Sequence, residues 1–294
     1  MDNQYITRLQ GGLGNQLFQF AFAYSFAKAN NISVKIYYRD TNPKRCYKLN
    51  HYPIKLYYAS SKEVFEAQVG FLFLNKKITA FLLKFPFYRK LLHYKTNKAS
   101  KTFGLHSSHT WQTHFHLEGY WQSESFFRDY GNEIKRQFLP KAIGKQTRMI
   151  EEQIIKSKAV SIHVRRGDYV EIAQNNGLHT LLGTDYYKDA INHMCEQIKS
   201  PIHFYIFSDD KAWVEKHLCF LENKTFVQID ESDADVQELY LMSKCNHHII
   251  ANSSFSWWGA WLNDKEKIVI APKSWFSIEL PEFKSLIPED WIII

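Results

Sequence analysis

Two adjacent arginines, Arg165 and Arg166, are the residues best suited to bind an anion. They follow an apolar stretch at 159–164 and precede Gly167 and Asp168. A guanidinium group carries a fixed positive charge and a fork of N–H donors, a combination that suits phosphate oxygens. The pair therefore predicts a phosphate-binding loop. The competing interpretation is a structural ion pair with Asp168 or another carboxylate.

Two serines provide a second element of such a site. Ser253 and Ser254 come after an apolar stretch at 248–251 and stand at the start of a predicted helix. Backbone amides and hydroxyls at a helix start accept anions. Together with the arginines, this helix start predicts a site that holds a diphosphate without a metal. The competing interpretation is a simple helix cap.

Two other groups have spacings that suggest a metal. Asp233 and Asp235 form a D-x-D triplet, but they lie where a helix begins, so an N-cap and a first-turn acid are favoured. Four histidines are close in sequence: His106, His109, His114 and His116. No cysteine or carboxylate stands at zinc spacing from them, which favours exposed or hydrogen-bonded histidines. We therefore predict no metal site.

The second half of the chain alternates strands and helices, which would position these loops. Apolar runs predict strands at 159–164, 203–207, 225–229, 248–251 and 267–271. Helical periodicity predicts helices at 185–199, from Asp209 or Asp210 to 218, 234–245 and 255–262, with Asp185 as a cap of the first. Such alternation implies right-handed crossovers and a parallel sheet. We predict a doubly wound α/β domain from about residue 155.

Polar residues collect after each predicted strand. Ligands of such a sheet bind at the carboxyl ends of its strands. The loops that follow the strands comprise residues 163–169, 208–210, 230–233, 252–256 and 272–275. The sequence therefore predicts that His163, Asp209 and Asn252 share one sheet edge with the arginines and serines.

The N-terminal part begins with a strand, a glycine-rich turn and a helix, followed by a strand at 33–37. Gly12 and Gly14 partly match a dinucleotide-binding fingerprint. The third glycine position holds Leu17, and no acidic residue ends the next strand, so the match is weak. The turn does predict a close approach of backbone to a ligand, with Asn15 at the mouth of the helix.

Composition excludes several classes of protein. The chain has 294 residues, of which 45% are hydrophobic and 16% aromatic, so it is neither disordered nor collagen-like. No apolar run approaches the roughly 18 residues of a membrane-spanning helix, and no secretory signal is visible at the N-terminus. The four cysteines form no C-x-x-C pair. These features predict a reduced, cytoplasmic protein.

The net charge of +7 arises from one segment. Between Glu66 and Glu118 there is no acidic residue, whereas eight lysines and arginines lie at 76–101 among aromatic side chains. This basic segment is either a surface that faces phosphates, anionic lipid or a partner, or a solvated helix face. No nucleic-acid motif accompanies it, so we predict no nucleic-acid partner.

Five sequence blocks together resemble the α-1,2-fucosyltransferases of glycosyltransferase family 11. They are GGLGNQLFQ at 11–19, GYWQSE at 119–124, HVRRGDY at 163–169, FSDD at 207–210 and NSSFSWWGAWL at 252–262. The blocks run in the family's order and span nearly the whole chain. The third and fifth blocks are highly specific in combination.

The resemblance implies an α/β GT-B fold with two Rossmann-like domains, placed at 1–154 and 155–294. The first domain would bind the acceptor and include a variable basic, aromatic region at 50–118. The donor would be GDP-β-L-fucose and the acceptor a terminal galactoside, with inversion at C1, no metal and no other cofactor. A role in surface polysaccharide (O-antigen) synthesis follows, with peripheral contact to anionic membrane.

The resemblance also implies roles for individual residues. Arg165 would contact the β-phosphate and stabilise the charge that grows on departing GDP. Apart from the resemblance, Asp168 is the preferred proton acceptor as one of the carboxylates nearest in sequence, with Glu171 or no dedicated base as alternatives, and Arg166 would bind substrate or pair internally. As a carboxylate at the predicted sheet edge, Asp209 or else Asp230 would help to fix the base or ribose. Further substrate-binding residues are Gly12, Gly14, Asn15, His163, Asn252, Ser253, Ser254 and Phe255.

Two other functions remain open at this point. The same sheet could belong to a protein that binds nucleotide sugars or glycans without turning them over. The glycine turn could instead belong to an NAD(P)-dependent oxidoreductase. Binding of reduced nicotinamide nucleotides, followed by fluorescence, would distinguish the oxidoreductase from the transferase.

Overall fold

The computed structural model describes residues 4–42, 45–69, 97–98, 114–167, 169, 180–277 and 285–294. Contacts divide the chain into two compact units. The first comprises Met1–Tyr47 and Ile54–Gly131, and the second comprises Lys48–Pro53 and Asn132–Ile294. Most of the region at 50–118, including nearly all of its basic segment, lies outside the described residues.

The first unit is built on a parallel sheet. Its elements are β1 (Gln4–Leu9), α1 (Leu13–Asn30), β2 (Val34–Tyr38), α2 (Ser61–Val69), β3 (Asn97–Lys98) and β4 (His114–Glu118). The strand order is β2-β1-β4-β3. Phe22 and Phe26 of α1 pack with Val34 and Leu117 of the sheet, which fixes the helix over the strands. The predicted strand, glycine turn, helix and strand are confirmed.

The second unit contains the larger sheet. Its helices are α3 (Gly131–Gln137), α4 (Lys145–Ile155), α5 (Thr184–Gln197), α6 (Lys211–His217), α7 (Ala234–Lys244) and α8 (Ser254–Trp261). Its strands are β5 (Ala159–Val164), β6 (His203–Ser208), β7 (Lys224–Val227), β8 (His247–Ile249), β9 (Val269–Ala271) and β10 (Ile292–Ile293). The strands are all parallel, in the order β10-β9-β8-β5-β6-β7.

Helices cover both faces of this sheet. Phe204 and Ile206 of β6 belong to a core with α5 and α6, whereas Tyr205 and Phe207 belong to a core with α4 and α7. Successive side chains of a strand point to opposite faces, so the two cores lie on opposite sides. The predicted doubly wound parallel sheet is therefore confirmed, with β10 as an additional edge strand.

Two details differ from the sequence-based expectations. Asp185 does not cap α5, because the helix begins one residue earlier, at Thr184, with Gly183 in the N-cap position. The division between units also differs from the expected boundary after residue 154. Helix α4 begins before that boundary and ends one residue after it, and its Ile154 packs with Leu241 and Met242 in the core of the second unit.

Segment Lys48–Pro53 belongs to the second unit for a similar reason. Tyr52 is buried and its ring packs 5.8 Å from that of Phe138, while Lys48 Nζ lies 3.0 Å from an Asp235 carboxylate oxygen.

None of the helices in the described ranges combines the length and apolarity required to cross a membrane.

Candidate functional site

The loops that carry the predicted site meet at the carboxyl edge of the larger sheet. Strand β5 lies between β6 and β8, with Val164 opposite Ser208 and Ile162 opposite Ile249. The residues that follow these three strands are therefore neighbours. The predicted gathering of polar loops at this edge is confirmed.

Arg165 is fixed by a carboxylate from the neighbouring loop. Its Nη1 atom lies 2.6 Å from Oδ2 of Asp209, and its guanidinium lies 5.6 Å from the ring centroid of Tyr169. The other oxygen of Asp209 accepts hydrogen bonds from the backbone N–H groups of Arg166 and Gly167, at 2.8 and 3.1 Å. Asp209 thus holds both the loop and the side chain that extends from it.

Arg166 has different partners. Its Nε atom lies 3.3 Å from Oδ2 of Asp210, and its guanidinium lies 4.6 Å from the ring centroid of Trp213. Asp210 also caps α6, since its Oδ1 accepts a hydrogen bond from the backbone N–H of Trp213 at 3.0 Å. The internal pair predicted for Arg166 is therefore with Asp210. Asp168, the partner and proton acceptor suggested by the sequence, lies outside the described residues, as does Glu171.

His163 is a buried, neutral imidazole at the same edge. Its ring lies 5.5 Å from that of Phe255. Burial, and secondarily the charge of Arg165, lower the pKa of His163 to about 3. Its Nδ1 atom is buried and has no hydrogen-bond partner within the described part of the chain. A buried polar atom of this kind is expected to find a partner when a ligand binds.

The serine loop begins α8 as predicted. Ser253 occupies the N-cap, and its Oγ accepts a hydrogen bond from the backbone N–H of Phe255 at 3.3 Å, so the capping interpretation is confirmed. Ser254 is the first helical residue. A cap of this kind leaves other N–H groups of the first turn without an intrahelical acceptor, so it does not exclude anion binding.

Asn252 braces the surrounding loops. Its Nδ2 donates to the backbone oxygens of Thr180 and Trp275, at 2.7 and 2.9 Å, and its own backbone oxygen accepts from the hydroxyl of Tyr169 at 3.1 Å. These bonds give its amide nitrogen a positioning role for the serine loop.

Glu238 of α7 is a functional candidate that sequence reasoning missed. Burial, followed by the charge of Asp235, raises the pKa of Glu238 to about 7, and Asp209 contributes in the same direction. A backbone N–H of Ile229 donates to its carboxylate. The signal was available in the sequence, because residues 234, 238, 241 and 245 share one helical face, on which Leu241 and Cys245 lie in the core and Ala234 packs against it. An acid on such a face is a marker of a site.

The acidic triplet is occupied by structural contacts. Lys48 contacts Asp235, while Asp233 accepts a hydrogen bond from Gln237 Nε2 at 2.8 Å and faces His51 Nδ1 at 3.8 Å. Asp233 stands in the N-cap position without making a side-chain cap, contrary to the expectation. Within the described residues, no three histidine, cysteine, aspartate or glutamate side chains group as metal ligands would.

In the first unit, the glycine turn (residues 11–14) is fixed by polar side chains. Gly11 has a φ of +80°, a left-handed conformation that favours glycine, and its N–H donates to Asp40. Arg45 passes so close to Gly12 that a Cβ there would lie 2.6 Å from its Nη1 atom. Oδ1 of Asn15 accepts a hydrogen bond from Gln122 Nε2 at 2.8 Å.

The GYWQSE block explains how Gln122 is positioned. Trp121 has a φ of +47°, which is uncommon for a residue other than glycine. Its indole stacks on Phe22 with centroids 4.1 Å apart and planes 6° from parallel. Gln19 of α1 donates to Gly119 at 3.3 Å. The block is therefore tied to α1 and presents Gln122 to Asn15.

A cavity of about 370 Å³ in the second unit lies away from this edge. Lys244, Leu262 and Lys265 line it, at the carboxyl ends of α7 and α8, whereas Ser253 lies at the opposite end of α8. This cavity is therefore separate from the arginine and serine loops.

Sequence comparisons with known proteins identify the family of this chain. The profile of "Glycosyl transferase family 11" matches residues 90–294. The "Alpha-1,2-colitosyltransferase" of Escherichia coli is 32% identical over 298 residues, covering 98% of each chain. The "Galactoside 2-alpha-L-fucosyltransferase SEC1" of Bos taurus is 28% identical over 46% of this chain and 38% of its own.

A solved structure shows the same fold. The NodZ α-1,6-fucosyltransferase soaked with GDP-fucose is similar to this chain with a TM-score of 0.52 and 14% sequence identity, over 89% of this chain and 93% of that one. This likeness and the two α/β units with parallel sheets show the expected GT-B fold class. With a profile match over more than half of its length and a relative over nearly all of it, the chain belongs to glycosyltransferase family 11.

Proposed function

We propose that the chain transfers L-fucose from GDP-β-L-fucose to the 2-hydroxyl of a terminal galactoside, with inversion at C1. The observation that carries this proposal is the arginine loop. A guanidinium held at 2.6 Å by Asp209 lies at the carboxyl edge of the sheet, beside the start of α8. Fixed donors of this kind suit the diphosphate of a nucleotide sugar.

Arg165 would act on the charge that develops during the reaction. As the bond between fucose C1 and the diphosphate breaks, negative charge grows on the departing GDP. Donors that are already oriented toward that charge stabilise the transition state without a reorganisation cost. Asp209 supplies the orientation, so we assign Arg165 to catalysis and Asp209 to positioning.

Guanine recognition is assigned to Glu238 and His163. Guanine presents N–H donors on one edge, which an ionised carboxylate accepts, and a neutral imidazole supplies either a donor or an acceptor. Asp209 was the carboxylate first expected in this role. Since both of its oxygens already contact Arg165 and backbone N–H groups, Glu238 is the better candidate. Asp230, the other option, accepts a hydrogen bond from Gln228 at 3.1 Å.

A second candidate donor is GDP-colitose. The observation in its favour is the relative named as a colitosyltransferase, which matches along nearly the whole chain. Colitose lacks the 3-hydroxyl of fucose. A site built to hydrogen-bond a substrate hydroxyl rejects the analogue without it by about 10⁴-fold or more, so the two donors are readily distinguished.

The test is incubation with GDP-fucose or GDP-colitose and a panel of β-galactosides, with linkage analysis of the product. We expect an α-1,2-fucosylated galactoside, formed equally well in excess EDTA. Preferential use of GDP-colitose would reassign the donor, and loss of activity restored by Mg²⁺ or Mn²⁺ would overturn metal independence. In thermal shift assays, GDP should stabilise the protein and UDP should not.

We further propose that transfer takes place in the cytoplasm, near anionic lipid, during surface polysaccharide synthesis. The support is the basic segment at 76–101, whose eight cationic residues would each contribute about 1 kcal/mol if close to such a surface. Sedimentation with vesicles of phosphatidylglycerol at low and high salt tests the membrane contact. No binding at low salt would contradict it.

A further inference from the structure

The cavity of about 370 Å³ in the second unit is lined by an excess of positive charge. Its basic lining residues are Lys135, Arg136, Lys244 and Lys265. In the described part of the chain, Asp264 is the only acidic residue that lines it, and its carboxylate lies 2.6 Å from Lys135 Nζ. No described carboxylate forms an ion pair with the other three basic residues. Clefts of several hundred Å³ are the usual size of small-molecule sites.

Helix ends account for only part of this charge. The cavity lies at the carboxyl ends of α3, α7 and α8, and such an end carries about half a negative charge that favours cations. The three helix ends and Asp264 together supply at most about two and a half negative charges, against four positive side chains. The surplus of about one and a half positive charges is close to the opposite of the charge on a phosphate monoester at pH 7.

Two of the lysines are held over aromatic rings. Lys135 Nζ lies 4.8 Å from the ring centroid of Trp261, and Lys244 Nζ lies 4.5 Å from that of Tyr240. Side chains that are ordered in advance lose less conformational freedom when a ligand binds. Arg136 is exposed and adds a fork of N–H donors, which suits phosphate oxygens.

The same cavity has an apolar wall. Phe138 and Leu239 are buried, Leu262 is half-buried, and Leu139 is 50% exposed. Walls of low dielectric constant strengthen the field of charges of one sign and raise the local concentration of counter-ions. Inorganic phosphate would use only the charged groups, whereas an organic phosphate would also cover the apolar side chains.

We propose that this cavity binds an organic phosphate, with the phosphate group on Arg136, Lys244 and Lys265 and the rest of the molecule against Phe138 and Leu239. The proposal does not depend on the proposed transfer reaction, because none of these residues belongs to the arginine or serine loops. A soluble phosphate ester and the headgroup of a phospholipid both present this chemistry, and experiment distinguishes the two sources.

Methyl NMR of leucine-labelled protein tests the site, with phenyl phosphate, inorganic phosphate and phenol as probes. We expect phenyl phosphate to shift the methyl signals of Leu139, Leu239 and Leu262, and to bind more tightly than either of the other two probes. Signals from leucines elsewhere would report binding at any other site.

Two variants remove single charges from the cavity. Arg136→Gln and Lys265→Gln should each raise the Kd for phenyl phosphate by about two- to fivefold, as expected for loss of one partly exposed charge pair. Lys188→Gln is the matched control and should leave the Kd unchanged, because Lys188 is an exposed lysine of α5 that does not line the cavity.

Leucine signals of the cavity that do not shift, or a Kd unchanged in both cavity variants, would overturn the proposal. So would phenol or inorganic phosphate that binds as tightly as phenyl phosphate, because the charge or the apolar wall would then contribute nothing. Cosedimentation with phosphatidic acid vesicles distinguishes the sources. Vesicle binding that both cavity variants weaken supports a lipid headgroup, and vesicle binding that is absent or equal in all variants supports a soluble ester.

Discussion

The glycine turn and the arginine loop (Arg165, Arg166 and Gly167) are both polar loops at strand ends, but different bonds hold them. The glycine turn is braced by neutral amides, such as Gln122 on Asn15 and Gln16 on the carbonyl of Gly11, and by one carboxylate, that of Asp40, on the N–H of Gly11. The arginine loop is braced by two adjacent ion pairs with Asp209 and Asp210. One loop presents backbone, and the other presents charge.

The difference shows what each loop requires in order to be preorganised. Backbone can be fixed by uncharged hydrogen bonds, each of which contributes about 1 kcal/mol. A guanidinium on a long side chain needs a countercharge to select one rotamer, and a carboxylate oxygen of Asp209 provides it. Asp209 does this while also binding the backbone of the loop. Altering the charged loop should therefore affect turnover far more than altering the amide-braced turn.

Arg165→Ala should have the largest effect. Removing a donor that faces growing negative charge costs about 10²- to 10³-fold in rate, and Arg165→Lys should restore little because a point charge cannot replace the fork. The melting temperature should change little. The measurement is kcat with GDP-fucose alongside thermal unfolding.

Arg166→Ala is the matched control for that experiment. This variant loses the contacts with Asp210 and Trp213, so its melting temperature should fall at least as clearly as its activity. Near-normal turnover in Arg165→Ala together with a folded, inactive Arg166→Ala would show that the two arginines have the opposite roles.

Asp209→Asn should have the next largest effect. The amide oxygen can still accept from the backbone of the loop, but the charge that orients Arg165 is gone. Misplacement of a catalytic group by about 1 Å can cost about 10²-fold, so kcat should fall up to that extent. KM for the donor should change less, which a purely structural role would not predict. Asp230→Asn, at the next strand end, should leave both parameters unchanged.

The sequence was sufficient to predict the strands and helices of the second unit and to predict that the loops after its strands lie together. Strand β5 was predicted at its observed bounds because its residues are apolar and lead into a polar loop. The rule that parallel strands gather their carboxyl ends then brought Arg165 and Asp209 to one edge. These inferences need only local patterns and one topological rule.

Contacts between side chains that are far apart in the sequence could not be predicted in this way. Arg166 binds Asp210 rather than a neighbour in sequence, and Arg45 crosses Gly12 from 33 residues away. The place of Glu238 on an apolar helical face was visible in the sequence, but its raised pKa depends on burial, which is set by how α7 packs. The register of side chains across elements is set by tertiary packing, which no single-sequence pattern records.

The pKa of Glu238 provides a third prediction. Folding raises this pKa from 4.5 to about 7, so the folded state retains the proton between these values and the group lowers stability as pH rises through them. If GDP binds the ionised form, affinity should increase about tenfold from pH 6 to pH 8, as expected for one group with a pKa near 7. Calorimetric titrations at several pH values measure this, and Glu238→Gln should remove the dependence. An unchanged slope in that variant would contradict the assignment.

The smallest effects are predicted for alanine substitutions at two glycines, Gly12 and Gly167. A Cβ at Gly12 would meet Nη1 of Arg45 at 2.6 Å, and one at Gly167 would meet Oδ2 of Asp209 at 2.7 Å. The tip of Arg45 belongs to a flexible side chain that can move aside. The Asp209 oxygen cannot move without weakening its contact with Arg165.

Gly12→Ala should therefore change the free energy of unfolding by no more than about 0.5 kcal/mol, as surface substitutions usually do. Gly167→Ala should cost roughly 1 kcal/mol or more, as overpacking against a fixed group does. Urea unfolding measures both. In an Asp209→Ala background the obstructing carboxylate is absent, so the additional cost of Gly167→Ala should disappear. Equal losses of unfolding free energy in the two alanine variants would mean that the arginine loop accommodates an added methyl group as easily as the glycine turn does. That result would contradict the contrast between the two loops.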